Sequence, residues 1–331
     1  MRHAARLIAL LLLVLCAEAA PALAQQSAAP RPLPPSSSAA AAGAKRWQAR
    51  YPPAPRARVR PDGRRDHNPG RGSAASATPL RNRRVVAFYG SPAMPSTIVG
   101  RLGPGEVTKR LRRQSARYRS RRGPRVVQAF DLVATLATAD PGRSGLYRAR
   151  LKSRLIDRYL SLVRKKLGKQ ARLVLDIQPG RARLIDEIKN LKPFLNKTRV
   201  DIAIDPEWNV GPHGTPGQDQ GSIKAAEVNR LSGWLDQFIA ERKLRPRMLV
   251  IHQFREASVG DGRILNRDNV EIAFSNDGIG TRAAKFSGYV ALAYRHFVNG
   301  FTIFYRLDER PLATPDRVSR LKPHPGFVLY Q

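Results

Sequence analysis

Val200-Asp201-Ile202-Ala203-Ile204-Asp205-Pro206-Glu207-Trp208-Asn209-Val210 begins as an apolar, β-branched run and breaks at a proline. Such a run reads as a strand buried on both faces, as in a parallel sheet. Pro206 has no N–H to give to a central ladder, so the strand ends there. Period-two geometry puts Asp201, Ala203 and Asp205 on one face, with Glu207 joining them where the extended form continues. The break therefore delivers two carboxylates and the Trp208 indole to the C-terminal end of a buried strand.

The pattern recurs along the chain. Apolar runs stand at 85–89, 126–132, 173–177, 200–204, 248–254, 270–274, 301–305 and 327–330. Helical stretches separate them. Within 146–167, Leu151, Leu155, Tyr159 and Val163 recur at helical spacing. Residues 181–195, 222–243 (with Ser222 as N-cap), 281–297 and 314–321 predict further helices, whereas 255–269 reads mostly as loop. Strands alternating with helices over about 250 residues predict an α/β fold, a (β/α)8 TIM barrel. A doubly wound sheet also alternates, but commonly carries a glycine-rich phosphate turn after its first strand. Here that turn is Tyr89-Gly90-Ser91-Pro92-Ala93-Met94-Pro95, with prolines where the helix should open.

Such barrels carry their working residues at the C-terminal ends of the strands. Those ends offer Tyr89, Asp131, Asp176 with Gln178, Asp205 with Glu207 and Trp208, His252 with Gln253, Asn276 with Asp277, Tyr305 and Tyr330. At the opposite ends the acids are Asp201 and Glu271. Singly, each residue has a structural explanation: a turn aspartate, a core histidine, a packing tyrosine. Their shared polarity predicts a site at the barrel mouth. Acid–base chemistry needs one carboxyl kept protonated and one kept ionised. Glu207, beside Asp205 and Trp208, is the expected acid; Asp205 and Asp176 are the expected catalytic partners, and the other end residues bind substrate. Asp176 on the neighbouring strand suits a retaining pair, and Asp277 across the barrel suits an inverting one; both arrangements stay open. The Gly- and Pro-rich loop 209–221 is expected over the mouth. No cofactor and no metal are expected, since His213 and His252 lack metal-binding spacing.

An Asp-x-Glu closing the fourth barrel strand resembles the glycoside hydrolases of the chitinase-like (family 18) and lysozyme-like (family 25) groups. The resemblance implies that Glu207 is the proton donor and Asp205 its assistant. The chain departs from the chitinase-like motif at Val200 and Ala203, where that group has aspartates. It departs from the lysozyme-like group at Tyr89, where that group has an acid.

The 331-residue chain begins with Arg2, His3 and Arg6, an apolar run at 7–15, and Ala22-Leu23-Ala24. This predicts a cleavable signal peptide over 1–24, its apolar run too short to span a bilayer. Leu15 stands where lipid attachment at Cys16 needs a small residue, so secretion is favoured over lipoprotein anchoring. With its single cysteine removed, the mature chain has no disulfides. Residues 25–81, rich in Pro, Ala and Arg, predict a disordered linker, and 82–331 the barrel domain.

The net charge of +34 is uneven: 13 Lys and Arg against 3 acids before residue 82, 29 against 7 over 82–200, and 17 against 15 thereafter. Such a field favours anionic envelope polymers, and export disfavours nucleic acid. The expectation is a secreted or envelope-associated monomer hydrolysing a cell-wall or extracellular polysaccharide. The alternative is a non-catalytic glycan-binding or envelope-associated surface protein with a degenerate site.

Overall fold

The computed structural model describes Leu80 and residues 82–331. The expected signal peptide and Cys16 lie outside the described residues, as does nearly all of the linker. Among the described residues, nine strands form one sheet, and eight of them run parallel and close on themselves. They are β1 (Arg83–Gly90), β2 (Arg125–Ala137), β4 (Arg172–Ile177), β5 (Val200–Ile204), β6 (Arg247–Gln253), β7 (Val270–Asn276), β8 (Val298–Ile303) and β9 (Phe327–Tyr330). Closure comes from β1, which pairs in parallel with β2 on one side and β9 on the other. The expected barrel is therefore present.

The ninth strand, β3 (Arg148–Arg150), pairs antiparallel with the end of β2. The helical spacing of Leu151, Leu155, Tyr159 and Val163 assigns these residues to the helical stretch 146–167. Here they pair alongside Thr135–Ala137, the last residues of β2. Glu187 holds the arm down: Arg148 Nε donates to its Oε1 at 3.0 Å, and Arg150 donates to both of its oxygens at 2.8 Å.

The helices are α1 (Ile98–Arg101), α2 (Pro104–Ala116), α3 (Ser153–Lys166), α4 (Leu184–Asn190), α5 (Lys192–Leu195), α6 (Ala225–Glu241), α7 (Arg282–Leu292) and α8 (Pro315–Ser319). They lie outside the wall and bury apolar stripes on it, as Val228, Leu231, Leu235 and Ile239 of α6 do. Ser222 is not the cap of α6. Ile223 bridges in parallel to Val259, which keeps 222–224 extended and delays the helix to Ala225. The connection after β6 is mostly loop as expected, with one 3-10 turn at Glu256–Ser258.

Alternation along each strand divides the core in two. Val86, Phe88, Phe130, Leu175, Ile202 and Ile251 face the helices. Val85, Ala87, Ala129, Val174, Ala203, Val250, Ala273 and Leu329 fill the barrel interior. Most interior residues at mid-height are small. Gly300 belongs to this level: a Cβ there would meet the Ser275 Cα at 3.0 Å and the Phe327 carbonyl oxygen at 3.1 Å.

The barrel floor is polar. Arg172 forks onto Asp201, with its Nη2 donating to Oδ1 at 2.6 Å, and the Met248 N–H donates to the same oxygen at 2.8 Å. Leu80 is buried against the interior cluster, and its N–H donates to Glu271 Oε2 at 2.6 Å. The two acids at the N-terminal strand ends are thus floor residues. Limited proteolysis of the full chain is expected to leave a core that retains Leu80, because cleavage beyond it would remove a buried side chain and the N–H that donates to Glu271. N-terminal sequencing of the core checks this; a core beginning after Leu80 would show that the floor closes without it.

Candidate active site

Alternation turns Tyr89, Asp131, Asp176, Gln178, Asp205 and His252 into the barrel at its C-terminal end, and the loop after β7 adds Asp277. All seven are buried, and Asp131, Asp176 and His252 are fully enclosed. The Tyr89 hydroxyl donates to Asp205 Oδ2 at 2.8 Å. Gln178 Nε2 donates to the same oxygen at 3.0 Å and to the Tyr89 oxygen at 2.9 Å. Asp277 Oδ2 lies 2.6 Å from His252 Nδ1, and its Oδ1 accepts from the Thr302 hydroxyl. The other His252 nitrogen, Nε2, lies 3.5 Å from Asp131 Oδ2, and Asp205 Oδ1 lies 3.9 Å from Nδ1. One imidazole thus stands among three carboxyls.

Burial and mutual repulsion shape the protonation of the cluster. Burial raises the Asp176 carboxyl well above the usual range, and Asp205 raises it further. Asp131 is pushed up to about 6, chiefly by burial, with His252 pulling the other way. Burial alone would lower His252, but Asp277, Asp205 and Asp131 together raise it well above its ordinary value. The Tyr89 phenol is held protonated by burial and by Asp205, which keeps it a donor.

Glu207 sits in the 3-10 turn Pro206–Trp208 directly after β5. Its Oε2 is enclosed without a hydrogen-bond partner. Burial, then Asp205 and Asp277, raise its carboxyl well above the ordinary range. Loop 209–221 closes over this turn. The Gly221 N–H donates to the Glu207 carbonyl at 2.8 Å, and Arg181 Nε fixes the loop through the Gly214 carbonyl at 2.6 Å. His213, on that loop, is exposed and stands apart from His252.

Other expected site residues are not brought together with these. Trp208 is 5% exposed, so its ring offers little face to a ligand. Tyr330 points outward from β9, where its hydroxyl lies 2.6 Å from that of Tyr118 and accepts from Gln114 at 2.7 Å. Tyr305 stacks on Tyr330 with ring centres 5.4 Å apart, beneath the Arg110 guanidinium. These tyrosines fill the layer between barrel and helices. Gln253 and Asn276 end their strands buried, one step out of phase with His252 and Ser275.

The sequence reading missed Thr302, Ser275 and Lys285. The seventh apolar run spans 301–305, but β8 is Val298–Ile303, so its inward end residue is Thr302 rather than Tyr305. Gly300 and Thr302, two apart, are the signal that marks the inner face. Ser275 lies 3.1 Å from the Thr302 hydroxyl. Lys285 is buried behind Asp277 and pairs with Asp308 at 3.0 Å; at a helix position it looks like a surface lysine. Compared with family profiles, curated proteins and solved structures, the chain matches none.

Proposed function

We propose that the barrel mouth hydrolyses a glycosidic bond in a cell-wall or extracellular polysaccharide, with Glu207 as proton donor and Asp205 as its charged neighbour. The observation that carries this reading is the enclosed, unpartnered Oε2 of Glu207 beside Asp205. A carboxylic acid kept protonated near neutrality next to a second, hydrogen-bonded carboxylate is the division of labour that such chemistry requires. Tyr89 and Gln178 both donate to Asp205 and fix its orientation beside Glu207. The second carboxyl is Asp176 in a retaining arrangement or Asp277 in an inverting one. Asp277 is the less enclosed of the two and acts electrostatically on Glu207. Replacing each with Asn separates the cases: the true partner loses turnover by about 10²-fold or more, and the other variant keeps most of it.

The reading is tested by offering the full chain peptidoglycan, chitin, α-glucans and β-glucans and measuring released reducing ends. Release from one of them is the expected result. Binding of a glycan with no release would favour the second reading, a non-catalytic glycan-binding protein of the envelope. The full enclosure of Asp131, Asp176 and His252 speaks for that alternative, because no substrate group reaches them in this conformation.

A further inference from the structure

Asp131 is the least satisfied group in the barrel. It is fully buried, and neither of its carboxylate oxygens has a hydrogen-bond partner. Two neighbours share the condition. Asp176 accepts from the Ile177 N–H through Oδ1 at 2.7 Å, but its Oδ2 has no partner, and nor does His252 Nε2. A donor or acceptor left unmade in a protein interior costs roughly the full desolvation of that group, so three such residues converging is unusual. Their ligand atoms all lie within 4.8 Å of one another.

We infer that Asp131, Asp176 and His252 form a binding site for a divalent transition-metal ion such as Zn²⁺ or Mn²⁺, set inside the barrel mouth. The 3.5 Å between His252 Nε2 and Asp131 Oδ2 is close to the edge of a tetrahedron with metal–ligand bonds of about 2.1 Å, roughly 3.4 Å. On its far side His252 meets Asp277 at Nδ1, and Asp277 is itself held by Thr302. With Nδ1–H donating to a carboxylate, Nε2 keeps its lone pair, which is how metal-binding histidines are oriented. One imidazole and two carboxylates suit Zn²⁺ or Mn²⁺, whereas Ca²⁺ favours an all-oxygen set.

Asp205, His252 and Asp277 also lie close enough to share an ion. That set is already spent: Asp277 holds His252 directly at 2.6 Å, and Asp205 accepts from Tyr89 and Gln178. The members of the first set come from the ends of β2, β4 and β6, and no short motif joins them.

The inference stands apart from the glycan reading, since it is tested with no glycan present and either can fail alone. The full chain, without a histidine tag, is stripped with chelator and titrated with Zn²⁺ and with Mn²⁺ in a calorimeter. One equivalent of at least one ion is expected to bind and to raise the melting temperature. Asp131→Asn and Asp176→Asn should each weaken binding by about 100-fold or more, and Asp277→Asn, acting through His252, by about 10–100-fold. Asp157→Asn, an exposed acid on α3, should change nothing. With Mn²⁺ bound, electron spin resonance should show coupling to one imidazole nitrogen. This readout uses the unaltered chain, so it holds even where a variant fails to fold. Absence of stoichiometric binding by the unaltered chain would overturn the inference, as would unchanged affinity in folded Asp131→Asn. In either case the cluster is held by protons alone.

Discussion

Glu207→Gln is expected to lower turnover of a cleaved glycan by about 10²–10⁴-fold while leaving its binding in place. The substitution keeps size and shape and removes only the transferable proton. The pH profile supplies a second readout. Burial, Asp205 and Asp277 raise the Glu207 carboxyl, so the donor stays protonated well above the ordinary glutamate range. Activity should therefore fall as pH rises through that raised value, and the alkaline limb should vanish in Glu207→Gln. Asp205→Asn removes a like charge, which lowers the Glu207 pKa and moves the limb toward acid. Initial rates across pH for the three proteins check both points. A Glu207→Gln protein as fast as the unaltered chain would remove Glu207 from the acid role.

The largest effect on stability is expected at the floor. Asp201 is fully buried and takes both a forked Arg172 and the Met248 N–H. Asp201→Ala leaves a buried guanidinium and an amide unmatched, a loss of about 3–5 kcal/mol. At roughly 2–4 °C per kcal/mol for a domain of this size, the melting temperature should drop by about 10 °C. Thermal unfolding followed by circular dichroism measures this. A drop below about 3 °C would mean that Glu271, which also acts on Arg172, is a sufficient counter-charge.

The strands were legible because a barrel wall buried on both faces needs β-branched and aliphatic runs, and 200–204 states that need in five residues. The carboxylate end was legible for the same reason: Asp131, Asp176, Asp205 and His252 each interrupt an apolar run near its close. What could not be read was phase. Tyr305 and Tyr330 stand at strand ends like Tyr89, but a one-residue difference in register turns Tyr330 to the helix side and leaves Tyr305 beyond its strand. Aromatic residues satisfy either face, so composition alone cannot choose. The β3 arm was hidden because the partner that holds its Arg148 and Arg150 side chains, Glu187, lies far along the chain, where no local pattern shows it. The grouping of Asp131, Asp176 and His252 is a property of barrel closure, which brings together positions 131, 176 and 252.

Leu80 gives the molecule a front and a back. Leu80 is buried at the floor, the end of the barrel opposite Glu207. A fusion partner or an immobilising tag at the N-terminus should spare access to the site. A bulky group grafted into loop 209–221 should block it.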